Sequence, residues 1–308
     1  MGRIIMINYK NPVVQCEKDG HTADPHIVKW NGYYYHCYCR CDDNVNGVYI
    51  SKSENLWDIG KGTETKVFDA NIEGATHDWY APELHRINDT WYIYGAPAFG
   101  DDNEFHTMCV LENKSDDPQE EYAYLGPVKG LENIWSIDGT ILNFNDENWF
   151  VWTNCSEMYI SKMINPWSIE DEHTVIAKPK FDFETKTEVL VNEGPAVLYR
   201  NEKIHIVYSA NDSKTDEYCL GLLTYSGGKI NDPKNWVKYP ETIFSKTEAI
   251  FGPGHCSFTT VNENGEEKDY IVYHANLESC SGWDGRSVWV QEFSWDEKDM
   301  PIFGAPHK

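Results

Sequence analysis

Four acids and one histidine recur along this chain at near-constant intervals. Asp24, Glu83, Asp138, Glu193 and His255 are separated by steps of 59, 55, 55 and 62 residues. Carboxylates gathered in a confined space raise one another's pKa, so a chain that crowds them can keep one protonated beside another that is ionised. Cleavage of a glycosidic bond needs that combination. One carboxylic acid protonates the leaving oxygen, and a second, ionised carboxylate acts as a base on water or as a nucleophile. A third acid nearby can hold the first one's pKa high. The bland alternative is a water-filled channel whose acids are solvated and idle.

Elements that would bring these residues together are visible as repeats. Each of the five opens a short β-prone segment, for example Ile137-Asp138-Gly139-Thr140-Ile141-Leu142 and Glu193-Gly194-Pro195-Ala196-Val197-Leu198. A polar turn follows in every unit, such as Asn31-Gly32, Asn88-Asp89 or Asn201-Glu202, and then an aromatic and β-branched run such as Trp91-Tyr92-Ile93-Tyr94 or Trp149-Phe150-Val151-Trp152. Turn chemistry followed by a β run reads as a hairpin. A third β-prone segment closes each unit, as in Val48-Tyr49-Ile50 and Val288-Trp289-Val290. Repeats of several antiparallel strands at such a period signal propeller blades. The expectation is an all-β, five-bladed β-propeller, with blades of mostly four antiparallel strands around a central channel, occupying residues 1–308 as a single catalytic domain. The first strand of a blade is its innermost, so the five recurring polar residues should converge on the channel. A β-sandwich with chance similarity between strands is the competing reading.

Bulk properties narrow the partners. The 308 residues carry 50 acidic against 26 basic side chains, a net charge of −24, which repels nucleic acid and anionic membranes and favours a neutral ligand. The 12 Trp and 19 Tyr suit strands, and flat rings also stack on sugars. The apolar run Ile4 to Ile7 is too short for a signal-peptide core, so the protein is expected to be cytoplasmic, or secreted with its signal removed. Cys37, Cys39 and Cys41 alternate along a strand in a spacing unlike that of zinc sites, and are expected to pack as thiols.

The ordered motifs Ala23-Asp24-Pro25, Tyr80-Ala81-Pro82-Glu83, Ser136-Ile137-Asp138-Gly139-Thr140, Asn192-Glu193-Gly194-Pro195-Ala196 and Gly252-Pro253-Gly254-His255 resemble those of glycoside hydrolase family 43, and the resemblance runs from about Asn11 to Pro306. It implies an inverting mechanism in which Asp24 is the general base, Glu193 the general acid, and Asp138 the residue that orients Glu193 and raises its pKa. It implies further that Arg286 binds sugar hydroxyls and that Glu83 has a structural, water-binding or substrate-binding role. Trp79 is expected as an aromatic wall of the sugar site, or as an ordinary packed residue. No cofactor is expected to be required. A calcium or other cation near His255, held through water, is a candidate occupant of the channel.

Within that family the neighbourhood of Glu193 resembles the exo-acting α-L-arabinofuranosidases. The expected activity is removal of terminal α-L-arabinofuranosyl residues from arabinan, arabinoxylan or their oligosaccharides, which makes a neutral plant cell-wall polysaccharide or oligosaccharide the partner. A β-D-xylosidase or an endo-arabinanase on the same scaffold is the alternative enzyme. A non-catalytic carbohydrate-binding propeller is the alternative from outside enzymology.

Overall fold

A computed structural model describes residues 9–15, 23–40, 46–71, 79–100 and 105–308. The run Ile4 to Ile7 and Cys41 lie outside these residues. Five antiparallel sheets follow one another along the chain. Blade one pairs His26–Trp30, Tyr33–Arg40, Gly47–Ser53 and Thr63–Asp69 in sequence order. Blade two comprises Tyr80–Ile87, Thr90–Ala96, Cys109–Asn113 and Ala123–Pro127. Blade three runs Ile137–Phe144, Glu147–Thr153 and Met158–Asn165, and both Ser168–Ile169 and Thr174–Ala177 then pair with its third strand. Blade four is Asn192–Arg200, Lys203–Ala210, Cys219–Tyr225 and Trp236–Lys238, and blade five is Phe251–Glu263, Glu266–Asn276, Ser287–Trp295 and Pro301–Ile302. The protein is a five-bladed β-propeller.

Local chemistry explains the hairpins. Asn31-Gly32, Asn88-Asp89, Asn145-Asp146 and Asn264-Gly265 each place two consecutive residues at positive φ, from 47° to 90°. That is the geometry of a two-residue turn whose twist matches the flanking strands, and Asn, Asp and Gly are the residues that enter it most cheaply.

The core is divided among the blade junctions. Five hydrophobic clusters are present among the described residues, and each spans one pair of neighbouring blades. One of them joins blade five to blade one through Val261, Tyr270 and Val272 against Ile27 and Tyr34, which closes the ring. Cys37 and Cys39 are buried in the cluster between blades one and two, as the alternation of thiols along the strand implied.

The N-terminal segment tightens this closure. Val13 N donates to Val288 O at 2.8 Å, and Val288 N donates to Val14 O at 2.9 Å. These bonds cover part of the third strand of blade five, whose other end pairs with Pro301–Ile302. An otherwise open sheet edge is thereby occupied. Asn11, 3% exposed, adds three bonds. Its side-chain nitrogen donates to Val290 O at 2.8 Å and to His307 O at 3.2 Å, and its Oδ1 accepts from Val290 N at 3.0 Å. Asn11→Ala would strand buried backbone groups of Val290. It is expected to lower unfolding free energy by about 2 kcal/mol, read as a shift of the urea midpoint at unchanged slope.

Candidate active site

Every inner strand begins with a backbone kink at its channel end. Asp24, Ala81, Asp138, Gly194 and His255 have φ of 51°, 40°, 55°, 54° and 41°. In blades two to five the strand register shifts at the same place, between Tyr80 and Glu83, Ile137 and Thr140, Glu193 and Ala196, and Gly254 and Cys256. A bulge of this kind re-aims the side chains beside it. For a residue with a Cβ the left-handed region costs about 1 kcal/mol or more, a strain found most often at functional sites.

The kinks bring Asp24, Asp138, Glu193 and His255 into one cluster. His255 Nδ1 lies 3.2 Å from Asp24 Oδ1 and 4.0 Å from Asp138 Oδ2. Gly194 N donates to Asp138 Oδ2 at 2.9 Å, which ties the head of blade four to blade three beside Glu193. A Cβ at Gly194 would stand 3.0 Å from both Cγ and Nδ1 of the His255 ring, so a side chain there would crowd the imidazole. Arg286 Nη1 approaches Asp24 Oδ1 at 3.7 Å. His274 Nδ1 lies 3.2 Å from both the Asp24 backbone nitrogen and Asp24 Oδ1. The Tyr218 hydroxyl donates to Glu193 Oε1 at 2.8 Å.

The protein treats these carboxyls differently. Burial works against the Asp24 anion, but the charges of His255 and Arg286 outweigh it and hold this carboxyl well below the usual range. Burial, reinforced by the Asp138 charge, pushes Glu193 up to about 8. Burial also raises Asp138, with the Asp24 charge adding and His255 and the Gly194 N–H opposing. The site therefore pairs a firmly ionised carboxylate with a carboxylic acid that keeps its proton near neutrality. Burial disfavours the charged His255 ring, but Asp24, Asp138 and Glu193 more than compensate and raise its pKa.

Glu83 is 6% exposed and has a different set of partners. His85 Nε2 lies 2.7 Å from Glu83 Oε2, and His26 Nε2 lies 3.7 Å from the same oxygen. These three residues are buried or nearly so, and place one ligand atom each within 4.8 Å of one another, close enough to hold a metal ion. The hydrogen bonding runs against that use. Leu84 N donates to His26 Nδ1 at 3.1 Å, and burial lowers the His26 pKa to about 4. A neutral ring that accepts at Nδ1 carries its proton on Nε2, which then has no lone pair for a metal. His26 and His85 instead present N–H groups to the buried Glu83 carboxylate. His255 is engaged by Asp24 through Nδ1, at 3.2 Å.

Of the two readings of Trp79, the packed residue is the one that agrees with its burial. Trp79 is 2% exposed and packs edge-on against Phe68 and Tyr124, so it presents no face to a ligand. The exposed ring at this position is its neighbour Tyr80, 37% exposed and stacked on His106 at 4.0 Å. Glu83 faces His26 and His85 rather than the Asp24 cluster. Sequence reasoning passed over Tyr218, His274, His26 and His85 as site residues. A signal existed for the last two, because each stands two residues after a recurring acid and therefore on the same strand face.

The sequence profile described as "Glycosyl hydrolases family 43" matches residues 9–301. The chain belongs to this family. Family 43 membership makes it a glycoside hydrolase. A Streptomyces chartreusis protein named extracellular exo-alpha-(1->5)-L-arabinofuranosidase is 34% identical over 282 residues, covering 87% of this chain and 82% of the relative. A Streptomyces avermitilis protein of the same name is 32% identical over 97% of this chain, which spans 64% of that relative's length. The crystal structure of an alpha-L-arabinofuranosidase from Lactobacillus brevis superposes with a TM-score of 0.84 at 30% identity, covering 97% of each chain.

The electrostatics of this family 43 site give an outcome that ring-resolved NMR can check. His26 and His274, both pushed down to about 4 by burial, should stay neutral as pH falls through the ordinary histidine range. His255 should titrate above an ordinary histidine. The two depressed rings contribute stability above the unfolded histidine pKa, about 6.5, and that contribution is lost as pH falls toward 4.

Proposed function

We propose that this glycoside hydrolase removes terminal α-L-arabinofuranosyl residues from arabinan, arabinoxylan or their oligosaccharides, with inversion at the anomeric carbon. The observation that carries this reading is the contrast between Asp24, held ionised by His255 and Arg286, and Glu193, held protonated by burial and Asp138. The arabinofuranosidase names of the similar proteins support the choice of sugar.

In the proposed step Asp24 takes a proton from a water molecule whose oxygen attacks the anomeric carbon from the face opposite the leaving group. Glu193 gives its proton to the glycosidic oxygen as the bond breaks. Inversion requires acid and base to stand roughly 6.5–9.5 Å apart, leaving room for that water. Asp138 keeps Glu193 protonated until transfer, and Arg286, beside Asp24, meets sugar hydroxyls.

A panel of aryl pentosides and linear arabino-oligosaccharides tests the assignment. Arabinose should be released from chain ends and from aryl α-L-arabinofuranosides. A preference for β-xylosides, or internal cleavage of arabinan, would sink it. Proton NMR of the first-formed sugar should show the inverted anomer, and the retained anomer would reject the mechanism. Asp24→Asn and Glu193→Gln should each lower turnover of oligosaccharides by roughly a hundred-fold or more. Only the Glu193 variant should recover with a good aryl leaving group. Asp138→Asn removes the charge that raises Glu193, so the alkaline limb of the kcat/KM profile should move to lower pH.

A further inference from the structure

Between the acid and the base lies a pair of stacked rings. Tyr218 and His274 have ring centroids 5.5 Å apart and planes within 8° of parallel. Both are shut away from solvent, at 1% and 0% exposure. The Tyr218 hydroxyl donates to Glu193 Oε1 at 2.8 Å, and His274 Nδ1 lies 3.2 Å from both the Asp24 backbone nitrogen and Asp24 Oδ1. One ring thus holds the acid by its carboxyl. The other holds the base by its main chain and its carboxylate, at a residue whose φ of 51° needs external support.

The two rings meet because of a glycine. Gly254 pairs directly with His274 in blade five, and a Cβ at 254 would stand 2.2 Å from Tyr218 Cε1. The missing side chain opens a slot in which the tyrosine of blade four lies against blade five. His274 is itself immobilised, since it sits in a central strand paired on its other side with Val288.

We propose that Tyr218 and His274 form a positioning pair that sets the spacing between acid and base, Tyr218 through the Glu193 carboxyl and His274 through both the main chain and the carboxylate of Asp24. This rests on the reading of Glu193 as acid and Asp24 as base. Neither ring need touch substrate. Rigid spacing matters here because an inverting site works only while a water fits between its two carboxyls, and small misplacements of reacting groups are costly.

A double-mutant cycle on an arabino-oligosaccharide tests the pair. Tyr218→Phe keeps the stack and removes only the hydroxyl. Its kcat should fall about ten-fold, the worth of one hydrogen bond to the carboxylate that forms as Glu193 gives up its proton, with KM little changed. Its alkaline limb should move to higher pH, because a donor that stabilised the ionised Glu193 is gone. Asp138, Asp24, His255 and Cys155 also act on Glu193, and none of them changes in this variant. In a Glu193→Gln background the same substitution should cost almost nothing. Tyr218→Leu, which also breaks the stack, should lower turnover of an activated aryl substrate that needs no acid, whereas Tyr218→Phe should retain most of that turnover. The pair is refuted if Tyr218→Phe leaves the alkaline limb in place, or costs as much in the Glu193→Gln background as in the unmutated enzyme. Should the leucine variant fail to fold, those two phenylalanine readings decide alone. If Glu193→Gln itself leaves oligosaccharide turnover intact, the acid assignment fails first and takes the pair with it.

Discussion

Crowding Asp24, Asp138 and Glu193 at the head of a buried channel forces their protonation states apart. Three adjacent anions in a poorly solvated space repel one another, and the protein relieves this unequally. Counter-charge is concentrated on one member, where His255 and Arg286 flank Asp24. Glu193 receives a neutral tyrosine hydroxyl instead of a cation and keeps its proton. Asp138 stands between them, held by a backbone N–H and within reach of His255. Two side chains of nearly identical chemistry thus acquire opposite roles from their surroundings alone.

The scaffold serves that arrangement through strain repeated five times. A left-handed residue stands at the head of each inner strand, and the register shift beside it in blades two to five re-aims the neighbouring side chains. Such conformations persist only where surrounding structure over-determines them. Here the hydrophobic clusters between blades supply the restraint, together with the N-terminal segment that joins blade five and completes the ring. Gly194 and Gly254 have a narrower purpose. Each leaves out a side chain where an aromatic ring must lie against backbone, His255 in one case and Tyr218 in the other.

Beside the cluster around Asp24, Glu83 shows that the same repeat position need not have the same use. Its carboxylate is dressed by His26 and His85 and is kept ionised in a buried place. The His26 tautomer, set by the Leu84 N–H, makes this group a hydrogen-bonded support of the channel rather than a cage for a cation.

Much of this was legible in the residue order. Turn dipeptides such as Asn31-Gly32 and the aromatic runs that follow them encode hairpins locally, so blade number, strand order and the convergence of Asp24, Asp138 and Glu193 could be read without coordinates. Local chemistry determines such features because turn geometry and strand periodicity depend on near neighbours. What the sequence left open depends on distant contacts. Trp79 is a core residue because Phe68 and Tyr124 enclose it, and nothing in its own motif distinguishes that from a sugar wall. Tyr218 and His274 belong to different blades and meet only through the slot at Gly254. The candidate carboxylates Asp24 and Glu193 were named by the motifs, but their electrostatics and the partners that hold them were decided by tertiary structure, because burial and through-space electrostatics arise only once the ring has closed.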